Sequence, residues 1–313
     1  MTLLGRVVRN GRVEAEHHGA VAVVDVHGEV VAQSGDITRR FYGRSALKPF
    51  QALVSQMAGA RLDREALSVA CASHGGFPVH IAYVRSMLDA VGLDESYLQT
   101  PPAWPIGQGE EVRLVANGTT EPSPILHNCS GKHAAMLRAC VASGWPLDNY
   151  LDPDHPLQEA VAQLVVEVTG DVPGRVGVDG CGAPVFEVSA VGLARAFARL
   201  GSEGRFEQIW WAMHRYPALA SENPRIDQEI GTWLDAAAKV GAEGSIGVAL
   251  RNRGGIGVKC WDGSARGLRA GIVGTMEQLG LLVGSQRRHL AEPEAVFGGG
   301  EVQGAVEPMV ELS

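Results

Sequence analysis

The chain has 313 residues, a formal net charge of −8, 45% apolar residues and 20% charged residues. That length builds one large domain or two small ones with an ample core, and the composition excludes a disordered chain. The acidic balance argues against nucleic acid or an anionic membrane as the main partner. No apolar run approaches a bilayer span, and the N-terminal MTLLGRVVRNG lacks the apolar core and cleavage site of a signal peptide. A cytoplasmic location is expected, with Cys71, Cys129, Cys140, Cys181 and Cys260 reduced. They are then read as core residues, metal ligands or nucleophiles rather than as disulfides.

The first third reads as sheet. Asn10-Gly11 and His27-Gly28 are turn signals between Val-rich segments, and GAVAVVDVHGEVVAQSG reads as a hairpin of two short strands. A helix follows, with Ala46, Leu47, Phe50, Leu53, Val54 and Met57 on its core face. Pro49 is tolerated in its first turn. Ser45 and Lys48 therefore fall at the helix N-terminus, one turn apart on one face. LSVACASHGG (67–76) reads as a buried strand running into a small-residue loop. HNCSGKHAAMLRACVASGWP (127–146) reads as a loop and then a helix closed by Gly144 and Pro146. From about residue 150 to 242 the pattern is mostly helical, interrupted by the loop VDGCGAPVF (178–186). Strand returns with GSIGVALRNRGGIGVKCWDGSARG (244–267), and a final helix spans about 268 to 283. The acidic tail AEPEAVFGGGEVQGAVEPMVELS carries no motif and is expected to be partly disordered. Sheet at both ends with helices between predicts a single α/β domain over 1–313, a mixed sheet flanked by helices whose terminal segments pair.

Only four of the 27 Lys+Arg residues are lysines: Lys48, Lys132, Lys239 and Lys259. Arginine keeps its proton in a protein, whereas a buried lysine gives it up. In Ser45-x-x-Lys48 a neutral amine can serve as the base that activates a serine, although the same pattern arises by chance with Ser45 as a plain cap. Ser73 lies in ASHGG, where glycines let a ligand approach the backbone; a plain turn is the alternative. Cys129 and Cys181, each in a glycine-flanked loop, could converge on Zn²⁺. Their third partner would conventionally be His133, with Lys132 the unusual choice. They could also be two unrelated core residues. Lys259 sits in an apolar strand where burial would depress its pKa, or blocks an edge. Lys239 follows LDAAA near a helix end and is assigned no function.

Taken together, GRSALKPFQ, ASHGG, HNCSGKHAAML, DGCGAPVF and GGIGVKCWDG resemble the Rhizobium-type L-asparaginases, a zinc-binding family distinct from the type I/II and plant-type enzymes. The resemblance runs in order from about Gly43 to Gly267. It implies a fold like that of serine β-lactamases and glutaminases, a homodimer, and hydrolysis of L-asparagine to L-aspartate and ammonia. It implies two Ser–Lys tandems, Ser45 with Lys48 and Ser73 with Lys259. It implies a zinc ion on Cys129, Lys132 and Cys181, favouring Lys132 over His133. Arg44, His133 and Asp179 fall at site-adjacent polar positions, where Asp179 would meet the substrate ammonium and Arg44 its carboxylate.

These readings combine into acyl transfer with Ser45 as nucleophile and zinc positioning the substrate. Glutamine is a near competitor as substrate, since one methylene separates the two amides. A β-lactamase or penicillin-binding-protein-like hydrolase is less well matched, because Lys259 precedes Cys-Trp rather than Thr-Gly and no S-D-N motif is present. A non-catalytic zinc-binding module would keep the Cys/Lys cluster but tolerate loss of both serines.

Overall fold

The computed structural model describes residues 2–221 and 225–313. In chain order the strands are β1 (Thr2–Arg9), β2 (Arg12–Val24), β3 (Val30–Ser34), β4 (Phe41–Tyr42), β5 (Val176–Val178), β6 (Pro184–Val188), β7 (Ala236–Gly241), β8 (Ser245–Leu250), β9 (Gly254–Cys260), β10 (Ala295–Gly298) and β11 (Glu301–Pro308). The helices begin with α1 (Lys48–Ser55), α2 (Arg64–Cys71), α3 (Pro78–Asp89), α4 (Glu110–Ala116), α5 (Ser130–Ser143) and α6 (Pro156–Thr169). They continue with α7 (Ala190–Ser202), α8 (Glu207–Arg215), α9 (Pro217–Ala220), α10 (Ile226–Trp233), α11 (Ala265–Gln278) and α12 (Gly284–Leu290).

The main sheet is antiparallel, in the order β10-β11-β1-β2-β9-β8-β7, with β3 also on β2. Asn10 and Gly11, with φ of 48° and 74°, make the tight turn from β1 to β2 that their residue types predict. The two chain ends meet where β1 pairs β11, Val7 opposite Val306. This is the mixed α/β class with paired terminal segments that the sequence implies. Among the described residues no helix is long and apolar enough to cross a membrane.

Two apolar layers cover the sheet. One contains residues of α1, α2, α5, α6, α7 and α8, the other residues of α10, α11 and α12. Glycine sets the distance between α7 and the sheet. A Cβ on Gly257 would lie 2.2 Å from the Ala190 carbonyl oxygen, and one on Gly255 2.2 Å from that of Ala194. The helix therefore rests on strand backbone.

Three expectations are corrected. Residues 64–71 form helix α2 rather than a strand, because Asp63 accepts from Ala66 N–H and starts a helix. Its continuous apolar run reflects burial on several sides, so no strand-like or helix-like period marks it. The helical middle segment (about 150–242) contains β5 and β6 and ends early: 236–241 is strand β7, paired with β8 along its length. The alanines there favour a helix in isolation, but the sheet partner and burial override them. The acidic tail is ordered, with β10 and β11 completing the sheet beyond β1.

Gly257→Ala should destabilise the protein by about 1–3 kcal/mol, because the added methyl must push α7 off the sheet. Urea unfolding measures this; an unchanged midpoint would contradict the close packing described.

Candidate active site

The site gathers where the first helical layer meets the end of the sheet. Residues 44–47 form a short 3₁₀ turn leading into α1, whose first residue is Lys48. Gly43 N–H is held by the Phe186 carbonyl at 3.0 Å. The turn presses on β7: a Cβ on Gly241 would lie 2.6 Å from the Gly43 carbonyl oxygen. Arg44 adopts a left-handed φ of 50°, an uncommon conformation for a side chain of its size.

Lys48 points inward and is 1% exposed. Its Nζ lies 2.5 Å from the Ala72 carbonyl oxygen, 3.0 Å from Ser73 Oγ and 3.5 Å from the Asn128 carbonyl oxygen. Burial lowers its pKa, assisted by the Lys132 cation and opposed by the Cys129 and Cys181 sulfurs. A neutral amine satisfies the same three neighbours, donating to the two carbonyls and accepting from the serine hydroxyl. The pairing differs from the two tandems the resemblance implies. Lys48 meets Ser73, which is 4% exposed, while Ser45 is half-buried. Ser45 and Lys48 are joined through the backbone, Lys48 N–H donating to the Ser45 carbonyl; among the described residues no side-chain hydrogen bond joins Ser45 Oγ to Lys48 Nζ. Lys259 Nζ is held by the Glu243 and Cys260 carbonyls rather than by Ser73, and lies 5.7 Å from the Phe41 ring and 5.5 Å from the Trp261 ring. Burial also lowers its pKa.

Beside Lys48 stand Cys129, just before α5, Lys132 in its first turn, and Cys181 in the loop after β5. That loop closes on itself through Asp179 N–H to the Ala183 carbonyl at 2.9 Å and Gly182 N–H to the Asp179 carbonyl at 2.9 Å. Lys132 Nζ donates to Cys181 Sγ at 3.1 Å. Cys129 Sγ donates to Asn128 Oδ1 at 3.4 Å, and the influence of the two cysteine sulfurs on each other holds the Cys181 pKa far down and pushes that of Cys129 up. Burial pulls Lys132 down, but the two sulfurs outweigh it and its pKa is raised. His133 lies beside this cluster. Tyr150 Oη accepts from Gln99 N–H and lies 2.8 Å from His133 Nδ1, within hydrogen-bond distance. Burial lowers the His133 pKa to about 4. Its Nε2 is buried without a hydrogen-bond partner, although its proximity helps hold Cys181 as a thiolate. Of His, Cys, Asp and Glu side chains, the described residues show one group of three with ligand atoms all within 4.8 Å, namely His17, Cys260 and Asp262. Cys129, Cys181 and His133 do not form such a group.

Arg44 Nε donates to Asp179 Oδ1 at 2.6 Å, which also accepts from Gly180 N–H at 2.7 Å. The two proposed substrate-binding charges thus neutralise each other across the site's rim.

Sequence reasoning missed Lys239, although lysine scarcity had flagged it. It is fully buried in β7, its Nζ 3.6 Å from Asp227 Oδ2. Five donors converge on Asp227: Ser221 Oγ, Arg225 Nε and Nη2, and the Gln228 and Val240 N–H groups. Burial raises the Asp227 carboxyl, but Arg225, Lys239 and these hydrogen bonds outweigh it and hold it well below the usual range. Burial drives Lys239 down; the anionic Asp227 is the firmer member of the pair because so many donors fix it.

The sequence model of the L-asparaginase II family matches residues 6–308, and the chain belongs to that family. No curated protein matches it. Among solved structures it is similar to Mglu in its native form, at 16% identity and a TM-score of 0.45, over 85% of this chain and 66% of that one. It is similar to Mglu in its tris and glutamate form, at 17% identity and 0.46, over 90% and 64%. A Bacillus glutaminase shows 14% identity and 0.48, over 84% and 91%. The chain thus spans slightly less than two thirds of the length of the Mglu chains. All three scores lie below 0.5, too low to transfer any residue or role.

Asp227→Ala should cost about 3–5 kcal/mol at neutral pH, because it leaves buried Lys239 and Arg225 without a counter-charge. The native carboxyl pKa lies below the unfolded value of about 3.9. Its contribution is therefore complete above that value and is lost as pH falls through the native one. Urea midpoints of wild type and variant should converge in acid; a constant difference from pH 7 to 3 would contradict this.

Proposed function

We propose that this chain hydrolyses L-asparagine to L-aspartate and ammonia. Family membership supports amide hydrolysis, and the observation that carries the mechanism is a buried lysine amine in hydrogen-bond contact with a serine hydroxyl, Lys48 with Ser73. Ser45 is the nucleophile. It stands one turn before Lys48, and its half-buried hydroxyl is the more reachable of the two. Lys48 Nζ, which rests on Ser73, turns to Ser45 Oγ and takes its proton as that oxygen attacks the side-chain amide carbon. The proton then moves through Ser73 Oγ to the leaving nitrogen, ammonia departs, and water hydrolyses the aspartyl ester. Asp179 binds the substrate ammonium and Arg44 its carboxylate; the pair they form at 2.6 Å opens to admit both charges. Lys259 supplies a second amine near the substrate, and His133 buttresses Cys181. As the resemblance implies, the working form is a homodimer.

We also propose that zinc is held by Cys129, Lys132 and Cys181. The donor set fits: two buried cysteines whose sulfurs affect each other's ionisation, one favouring the thiolate, with an amine 3.1 Å from it. Bound there, the ion would supply positive charge to orient the substrate, with Lys132 giving up its proton to ligate. Cobalt(II) added as a spectroscopic stand-in should give a thiolate charge-transfer band that disappears in Cys181→Ser and weakens in Lys132→Arg. A band unaffected by either change would remove the site.

Wild type should release ammonia from L-asparagine faster than from L-glutamine, and Ser45→Ala and Lys48→Arg should each lose more than about 100-fold. Since Lys48 must be neutral, kcat should fall as pH drops and the amine protonates, with the acid limb below the ordinary lysine range. Preference for glutamine would reassign the substrate. Full activity of Ser45→Ala would reject the nucleophile, and no release from either amide would reject the function.

A further inference from the structure

His74 immediately follows Ser73 and is fully buried. Its Nδ1 accepts from Gly76 N–H at 3.2 Å, and its Nε2 lies 2.9 Å from Ser130 Oγ, which in turn donates to the Ile125 carbonyl at 2.8 Å. Only one protonation pattern satisfies all three contacts. The imidazole is neutral, with its proton on Nε2, and donates to Ser130. The His74 backbone N–H donates to the Asn128 carbonyl at 3.1 Å, and that carbonyl also faces Lys48 Nζ. On one side of the ring His80 stacks at 5.2 Å with an interplanar angle of 23°, which fixes its orientation. One side chain thus ties the loop carrying Ser73 to the turn carrying Cys129, from which α5 delivers Lys132.

We propose that His74 is a positioning residue that sets Ser73 against Lys48 and against the Cys129–Lys132 turn. This rests on the reading of Ser73 as the proton carrier. The hydroxyl of Ser73 has to hold hydrogen-bond distance to Lys48 while reaching the leaving nitrogen, and a loop of small residues has little stiffness of its own. The His74–Ser130 link supplies it, because a neutral imidazole with both nitrogens bonded fixes the loop at its backbone and at its side chain together.

The test uses steady-state ammonia release from L-asparagine by folded wild type, His74→Phe, His74→Gln, Ser130→Ala, the His74→Phe/Ser130→Ala double variant and Ser45→Ala. His74→Phe keeps the ring and its stack but neither hydrogen bond. It should lower kcat by about 10–100-fold while KM changes by less than about threefold. His74→Gln retains a donor at the Nε2 position and should recover most of that loss. Ser130→Ala should lose kcat to a similar degree, and the double variant should be no worse than His74→Phe, since both changes cut one link. Wild-type kcat in His74→Phe, equal losses in the Phe and Gln variants, or losses that multiply in the double variant would overturn the proposal. If His74→Phe does not fold, a Ser130→Ala protein with undiminished kcat does the same. Ser45→Ala separates the two claims. If it is inactive while His74→Phe is fully active, the His74 inference alone falls. If it turns over like wild type, or wild type releases no ammonia, the reading beneath falls and takes the inference with it.

Discussion

The constraint on which the rest of this structure depends is a lysine amine taken out of water. An unpaired ammonium in a protein interior is too costly to keep, so the group either finds acceptors or loses its proton. Lys48 does the first in a way that leaves the second open. Two carbonyls and one serine hydroxyl surround its nitrogen, drawn from the end of α2, from Ser73 and from the turn before α5. Two separate segments, Ala72–Ser73 and the turn before α5, are thereby fixed relative to the start of α1. The fold holds these segments through backbone bonds such as that from His74 to Asn128, so the amine's environment is set before any substrate arrives.

Charge around that amine is balanced by counterions of different kinds. Lys132 is matched by the Cys181 sulfur, and Lys239 by Asp227. Arg44 is matched by Asp179 at the rim. The arrangement separates roles by depth. The deep Asp227–Lys239 pair braces β7 against α10, whereas the Arg44–Asp179 pair is partly exposed; in the proposed function the substrate's two charges replace it. Cys129 and Cys181 are both buried and free, the soft donors that the proposed zinc site uses.

Much of this could be read from residues. The hairpin of β1 and β2 follows from Asn10-Gly11, the pairing of the chain ends from sheet patterning at both termini, and the interest of Lys48 and Lys132 from the scarcity of lysine. What escaped has physical reasons. α2 is buried on several sides, which erases the period that distinguishes helix from strand. β7 is written in alanine, a helix former, and is a strand only because β8 pairs with it. The tail's role as β10 and β11 depends on a long-range partner, β1, that no local pattern names. Lys239 looked like an ordinary helix-end cation because its counterion, Asp227, is twelve residues upstream on another element. The crossed pairing of Lys48 with Ser73 lay beyond spacing altogether, since sequence proximity favoured Ser45.

The central claim is that Ser45 is the acylated serine and that Lys48 with Ser73 moves the proton. It is tested most directly by acid-quenching the enzyme during turnover of L-asparagine and locating the covalent adduct by peptide mass spectrometry. An aspartyl group on the peptide containing Ser45, absent from Ser45→Ala and retained in Ser73→Ala, is the predicted result. An adduct on Ser73 that persists in Ser45→Ala would contradict it and make the buried Lys48–Ser73 pair the nucleophilic centre itself.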